Sequence, residues 1–113
     1  MRKLVVLGLL AGLLAALLAA GPALSKRRTV EVDDNYFVKR GAPSTVRVRR
    51  NDTVVWRWEG RNPHNVVADG PVDFRSDTMT SGRYRKKLRR AGTYRIICEI
   101  HPPNMRMTLR VRR

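Results

Sequence analysis

Thr93-Tyr94-Arg95-Ile96-Ile97-Cys98-Glu99-Ile100-His101-Pro102-Pro103-Asn104-Met105-Arg106-Met107-Thr108-Leu109-Arg110-Val111 decides the reading of this chain. Thr93 to Glu99 is rich in β-branched residues and begins at the turn Ala91-Gly92, so it reads as a strand. Tyr94, Ile96 and Cys98 share one face of it, while Arg95, Ile97 and Glu99 point the other way. In the closing strand, Met107 to Val111, Leu109 and Val111 point inward and Thr108, Arg110 and Arg112 outward. The loop between the two strands carries His101 and Met105, so one hairpin presents a thiol, an imidazole and a thioether together at its end.

Upstream, the same alternation recurs. Thr29 to Val32 and Tyr36 to Val38 are short β-branched or aromatic runs separated from the next strand by Gly41-Ala42-Pro43. Thr45-Val46-Arg47-Val48-Arg49 alternates apolar and charged residues. Asn51-Asp52 turns the chain, and Thr53 to Trp58 follows with Val54, Trp56 and Trp58 on one face and Thr53, Val55 and Arg57 on the other. Arg61 to Arg83 is rich in turn residues and has room for one or two short strands or a helical turn. Turn signals about every ten residues, with no helical periodicity and no internal repeat, predict an all-β sandwich.

Cys98 is the single cysteine of the 113 residues, and His64 and His101 are the two histidines. One thiolate, two imidazoles and a weak axial methionine make up the donor set of a blue copper site, trigonal in His2Cys with a distant thioether. Taken singly, each of these residues has a more ordinary reading: a buried cysteine packs as a small hydrophobe, a loop histidine makes hydrogen bonds, and a methionine near a strand fills core. Their conjunction in Cys-x-x-His with an upstream Pro-His-Asn favours ligation. The two tryptophans read as core, and Pro102 and Pro103 either form an apolar rim beside His101 or simply stiffen the loop. No nucleophile–base pair is evident, so the chain reads as no enzyme.

The N-terminus has the pattern of a secretory leader. Arg2 and Lys3 precede a Leu/Ala/Val/Gly run from Leu4 to Leu18, and small residues and Pro22 follow. Ala23-Leu24-Ser25 fits a cleavage site, giving a leader over residues 1–25 and a domain over 26–113; cleavage after Ala23 or Gly21 is the alternative, as is an uncleaved anchor holding the domain at a membrane. Export would place the protein in the periplasm or outside the cell. There, a lone thiol is a hazard, an intermolecular bridge or a ligand. A domain of this size buries only about 60–65% of its unfolded surface, enough for a small monomeric sandwich.

From Asp52 to Val111 the chain resembles the cupredoxins of plastocyanin, amicyanin and pseudoazurin type. The resemblance rests on Asn51-Asp52-Thr53-Val54-Val55-Trp56, Pro63-His64-Asn65-Val66-Val67, Phe74-Arg75-Ser76, Ala91 to Pro102 and the alternating last strand; Val32-Asp33-Asp34-Asn35-Tyr36-Phe37 extends it towards the N-terminus. It implies a Greek-key β-sandwich holding one type 1 copper that shuttles one electron, with His64, Cys98 and His101 as equatorial ligands. Asn65 resembles a residue that ties the two ligand loops together by hydrogen bonds. For the axial ligand the resemblance favours Met105 over Met107, which falls where relatives carry a small residue. The bulk of Met107 is unexplained by the pattern. The other reading of the same donors is copper storage, delivery or sensing without redox cycling.

The whole chain carries 24 Lys and Arg against 9 Asp and Glu, a formal charge of +15; a chain starting at Lys26 would carry 22 against 9, or +13. Such a field favours an acidic redox partner or anionic cell-surface polymers. Composition alone would equally suit nucleic acid, but the leader and the lack of a nucleic-acid-binding module argue against it. Arg83, Arg85, Lys86, Lys87, Arg89 and Arg90 form the candidate docking cluster, with a solvated edge as the other reading.

Overall fold

The computed structural model describes residues 24–41 and 43–113. The expected leader lies outside the described residues except for its last two positions. Nine strands form: β1 (Arg27–Asp33), β2 (Tyr36–Phe37), β3 (Ser44–Arg49), β4 (Thr53–Trp58), β5 (Val67–Asp69), β6 (Phe74–Arg75), β7 (Gly82–Lys87), β8 (Gly92–Ile97) and β9 (Arg106–Arg112). No helix occurs among the described residues. The strands sort into two sheets, β2-β1-β4-β7 and β3-β9-β8-β5-β6, so the chain crosses repeatedly between layers. This is the all-β sandwich that the turn spacing predicts.

Alternation decides which side chains enter the core. Val30 and Val32 from β1, Val46 and Val48 from β3, Val54, Trp56 and Trp58 from β4, Tyr94 and Ile96 from β8, and Met107, Leu109 and Val111 from β9 are all buried together. Burying one such aliphatic side chain is worth about 1.5–3 kcal/mol, and pairing two sheets lets both apolar faces contribute at once. β8 and β9 run antiparallel in the register Tyr94↔Leu109, Ile96↔Met107. Met107 is therefore a core residue of β9, and its bulk packs between the sheets at 2% exposure. Cys98 lies one residue past the end of β8 and is fully buried.

Three features differ from the sequence expectation. β7 forms over Gly82–Lys87, where the charge-rich run Arg83 to Lys87 hides a strand. It pairs with β4 on one side only and is a sheet edge. Its alternation splits the basic cluster: Tyr84 and Lys86 turn inward beside Trp56 and Val54, with the Lys86 ammonium 5.5 Å from the centre of the Phe74 ring, and Arg83, Arg85 and Lys87 face out. Val55, on the outward face of β4, is nevertheless buried; Thr29 of β1 and Arg85 of β7 flank it in register, and a long arginine stem can cover apolar surface. Val38 ends the Tyr36 run with φ at 68°, a left-handed turn that closes β2 after two residues.

The two tryptophans have unequal polar environments. Trp58 donates its indole N–H to the His64 carbonyl at 3.2 Å, whereas the Trp56 indole nitrogen is buried with no acceptor among the described residues. A buried unpaired donor costs about 1–3 kcal/mol. Trp56→Phe removes that donor and should change stability by less than about 1 kcal/mol, relief offsetting the lost packing. Trp58→Phe loses both packing and a hydrogen bond and should cost about 2 kcal/mol or more. Urea unfolding of both variants checks this ordering; equal losses would contradict it.

Candidate metal centre

Three donors meet at one end of the sandwich. The turn after β4 carries His64, the end of β8 carries Cys98, and the β8–β9 loop carries His101. The His64 and His101 Nδ1 atoms lie 3.1 Å apart, and Cys98 Sγ lies 3.9 Å from the first and 3.7 Å from the second. A circle through these three atoms has a radius of about 2.1 Å, within the about 2.0–2.3 Å of transition-metal bonds to imidazole nitrogen and thiolate. At this distance the two Nδ1 atoms can share a proton between them or turn both lone pairs to one cation. The donor set thus fits a single copper ion held in a His2Cys plane.

Each donor is positioned by a separate set of contacts. The His64 backbone exchanges two hydrogen bonds with Met79, N–H to carbonyl in both directions at 2.9 Å, and its carbonyl also accepts from Trp58. Asn65 joins the two loops: its Oδ1 accepts the Glu99 N–H at 2.9 Å, and its amide donates to Glu99 Oε1 at 3.0 Å. Glu99 also pairs with Arg75. The role that the resemblance implies for Asn65 is therefore present as a two-way bond. The Cys98 N–H donates to the Met105 carbonyl at 3.0 Å, and the Met105 N–H donates to the His101 carbonyl at 3.2 Å, which closes the loop on itself.

Met105 and Met107 are both buried, at different levels. Carrying the β8–β9 ladder one rung past Ile97↔Arg106 sets Met105 opposite Cys98, on the inward side of the loop, whereas Met107 lies opposite Ile96. His64 and Cys98 are fully buried, and His101 is half-buried beside the exposed Pro102 and Pro103. Ile100, 41% exposed, adds to that apolar rim.

Asp34 is a site residue that sequence reasoning did not single out. Its Oδ1 lies 3.2 Å from His64 Nε2. The Nε2 proton is directed at this carboxylate, which leaves the Nδ1 lone pair facing the other donors. The backbone N–H groups of Asn62 and Arg61 also donate to Asp34 and hold its carboxyl below the usual carboxylate range. Gly60 makes room for this seat, since a Cβ there would stand 2.2 Å from Asp34 Oδ1. Nothing in the sequence links a turn aspartate to a histidine 30 residues on; the signal was only that Asp34-Asn35 turns and Gly60 bends.

A two-sheet β-sandwich with a His-Cys-His group at one end gives this chain a cupredoxin-like fold, with the donor set of one type 1 copper. Solved structures agree on that class, and among them are several of amicyanin. An amicyanin variant in its Cu(I) form is 26% identical with a TM-score of 0.63, the match covering 75% of this chain and 81% of that one. A second variant, in the oxidized state, is 27% identical at the same TM-score and coverage. A copper-containing nitrite reductase from Thermus scotoductus SA-01 is 24% identical with a TM-score of 0.63, over 83% of this chain; the chain spans about a quarter (24%) of that protein's length. No protein-family model matches the chain, and no curated protein does.

The Asp34 contact predicts a measurable effect on the metal. Asp34→Ala should lower copper affinity about 10- to 100-fold, the usual cost of removing a residue that orients a ligand histidine. Asp34→Asn keeps an acceptor but loses the charge, and should keep most of the affinity while raising the reduction potential, because the carboxylate favours Cu(II). Competition with a chelator and a redox titration check the pair; unchanged values in both variants would make the contact inert.

Proposed function

We propose that the chain is an exported electron carrier, with His64, Cys98 and His101 as equatorial copper ligands and Met105 as the weak axial one. The observation that carries this reading is the donor triangle, whose three atoms all stand at metal-bonding distance from one point. Bound copper supplies one-electron chemistry by alternating between Cu(II) and Cu(I). The Asn65–Glu99 bond and the Asp34–His64 contact keep the donors in one arrangement, so neither oxidation state demands much movement of the chain. His101 alone among the proposed equatorial ligands has exposed surface, and the rim of Ile100, Pro102 and Pro103 gives a redox partner an apolar place to sit.

The level of Met105, opposite Cys98, supports it over Met107 as the axial ligand. Burial of Cys98, His64 and both methionines weighs against copper storage or delivery, which needs donors a carrier or chelator can reach. It weighs equally against a catalytic copper with a position for substrate. The net positive charge suits an acidic partner, steered to the rim by the field and held there by apolar contact.

Export with cleavage after Ser25 has its own support. The Lys26 backbone nitrogen donates to Asp52 Oδ1 at 2.8 Å, and Asp52 is 7% exposed. A new α-ammonium at Lys26 would meet that carboxylate directly.

Protein isolated from the extracytoplasmic fraction should begin at Lys26, bind one Cu(II) and turn intensely blue through thiolate-to-copper charge transfer. Cys98→Ser should remove the colour. Met105→Leu should keep the metal and raise the potential; Met107→Leu should leave the potential alone and cost less than about 1.5 kcal/mol as a near-isosteric core swap. A pale complex with an ordinary tetragonal spectrum would overturn the reading, and a potential that moves only with Met107 would exchange the two methionines.

A further inference from the structure

The solvent face of the second sheet is nearly all arginine along one line. In the parallel β3–β9 pair, Arg47 stands directly beside Arg110 and Arg49 beside Arg112. On the other side of β9, Arg95 of β8 lies next to Thr108, and Arg106 next to Ile97. All six guanidinium-bearing side chains are exposed, and none has a carboxylate within ion-pair distance among the described residues. Thr45, Thr93 and Thr108 fill the positions between them.

Like charges directly opposite one another weaken a sheet. Two such pairs in succession, with no carboxylate within ion-pair distance among the described residues, are a costly way to make a merely soluble surface. They become favourable once an anion lies over both members.

The shape of the band narrows what that anion is. From Arg112 to Arg106 it runs six residue steps along β9, about 20 Å, and it is three strands wide, about 10 Å. Beyond it, β5 and β6 carry Val67, Asp69 and the Arg75 already paired with Glu99, so the charge stops. At the end nearer the metal centre, Arg95 and Arg106 line a groove with Pro43, Ile97 and Thr108. A broad planar surface would use the whole sheet; an elongated band ending in a groove suits a line. Every cation in it is arginine, whose planar fork takes two oxygens of a tetrahedral oxyanion at once, where lysine offers a point charge.

We propose that this face binds a linear polyanion bearing phosphate or sulfate groups, laid along β9. The outward cations of the first sheet differ in kind. Arg57 there is paired with Glu31 and Glu59, and Arg83, Arg85 and Lys87 form a single edge row. The band lies on the flank of the sandwich, so a bound polymer leaves the His101 rim free. The inference does not depend on the electron-carrier reading.

The test compares two triple variants of equal charge change in the copper-loaded protein: Arg47→Thr, Arg110→Thr, Arg112→Thr on the band, and Arg83→Thr, Arg85→Thr, Lys87→Thr on the opposite sheet. Threonine suits strands, and retention of the copper spectrum and circular dichroism reports folding. Binding of labelled inorganic polyphosphate and labelled heparin is measured across a salt series. The band variant should lose about 100-fold in affinity, with the log–log salt slope falling by about two to three, while the edge variant loses only a few-fold. Tighter binding of polyphosphate marks a phosphate polymer as the source, and tighter binding of heparin a sulfated one. Equal losses in the two variants would overturn the proposal in favour of diffuse net charge, and so would stronger binding to phosphatidylglycerol vesicles than to either polymer.

Discussion

His64 and Cys98 are 34 residues apart in the chain, and the two-way hydrogen bond between the Asn65 side chain and Glu99 holds their loops together. Everything distinctive about the molecule follows from closing that gap. Cys98 is placed by the β8–β9 ladder, which is local and stiff. His64 arrives from the other side of the fold, after β4 has crossed the first sheet. Without a fixed link, the two donors would share an end of the sandwich without sharing a coordination plane. With it, their atoms stand 3.9 Å apart. Trp58, Met79 and Asp34 then fix the height, backbone direction and ring orientation of His64 in turn.

Much of this was legible in the sequence because two independent periodicities coincide. Period-two alternation in Thr93 to Val111 sets the sheet faces, and the Cys-x-x-His spacing puts both donors at the hairpin's end, so fold and three of the candidate site residues come from one stretch. Strand β7 was not legible: among Arg83 to Lys87 a single apolar residue, Tyr84, faces the core, and Lys86 occupies an inward position that pattern reading assigns to water. Its place in the fold comes from pairing with β4, a tertiary effect that local propensity does not contain. Asp34 and Gly60 were illegible for the same reason. Their meaning lies in a contact between a turn after β1 and a turn after β4, brought together by the parallel pairing of those strands.

The surface divides into regions with different chemistry. The donor end carries the apolar rim of Ile100, Pro102 and Pro103 beside His101, the first sheet's outer face pairs Arg57 with Glu31 and Glu59 next to the edge row of Arg83, Arg85 and Lys87, and the second sheet's carries the arginine band. The proposed redox docking needs quick release, which an apolar rim of modest size permits, whereas the proposed association with a polymer suits a separate multivalent surface. On separate surfaces, the two proposed contacts would not hinder each other.

The central claim is that the protein builds the donor plane and copper occupies it with little rearrangement. X-ray absorption at the copper edge, measured on the oxidized and reduced forms, tests this most directly. One sulfur and two nitrogen neighbours at about 2.0–2.3 Å in both states, with distances changing by only about 0.1 Å between them, is the predicted result. Copper surrounded by nitrogen and oxygen alone, or a change in the number of close neighbours on reduction, would contradict it.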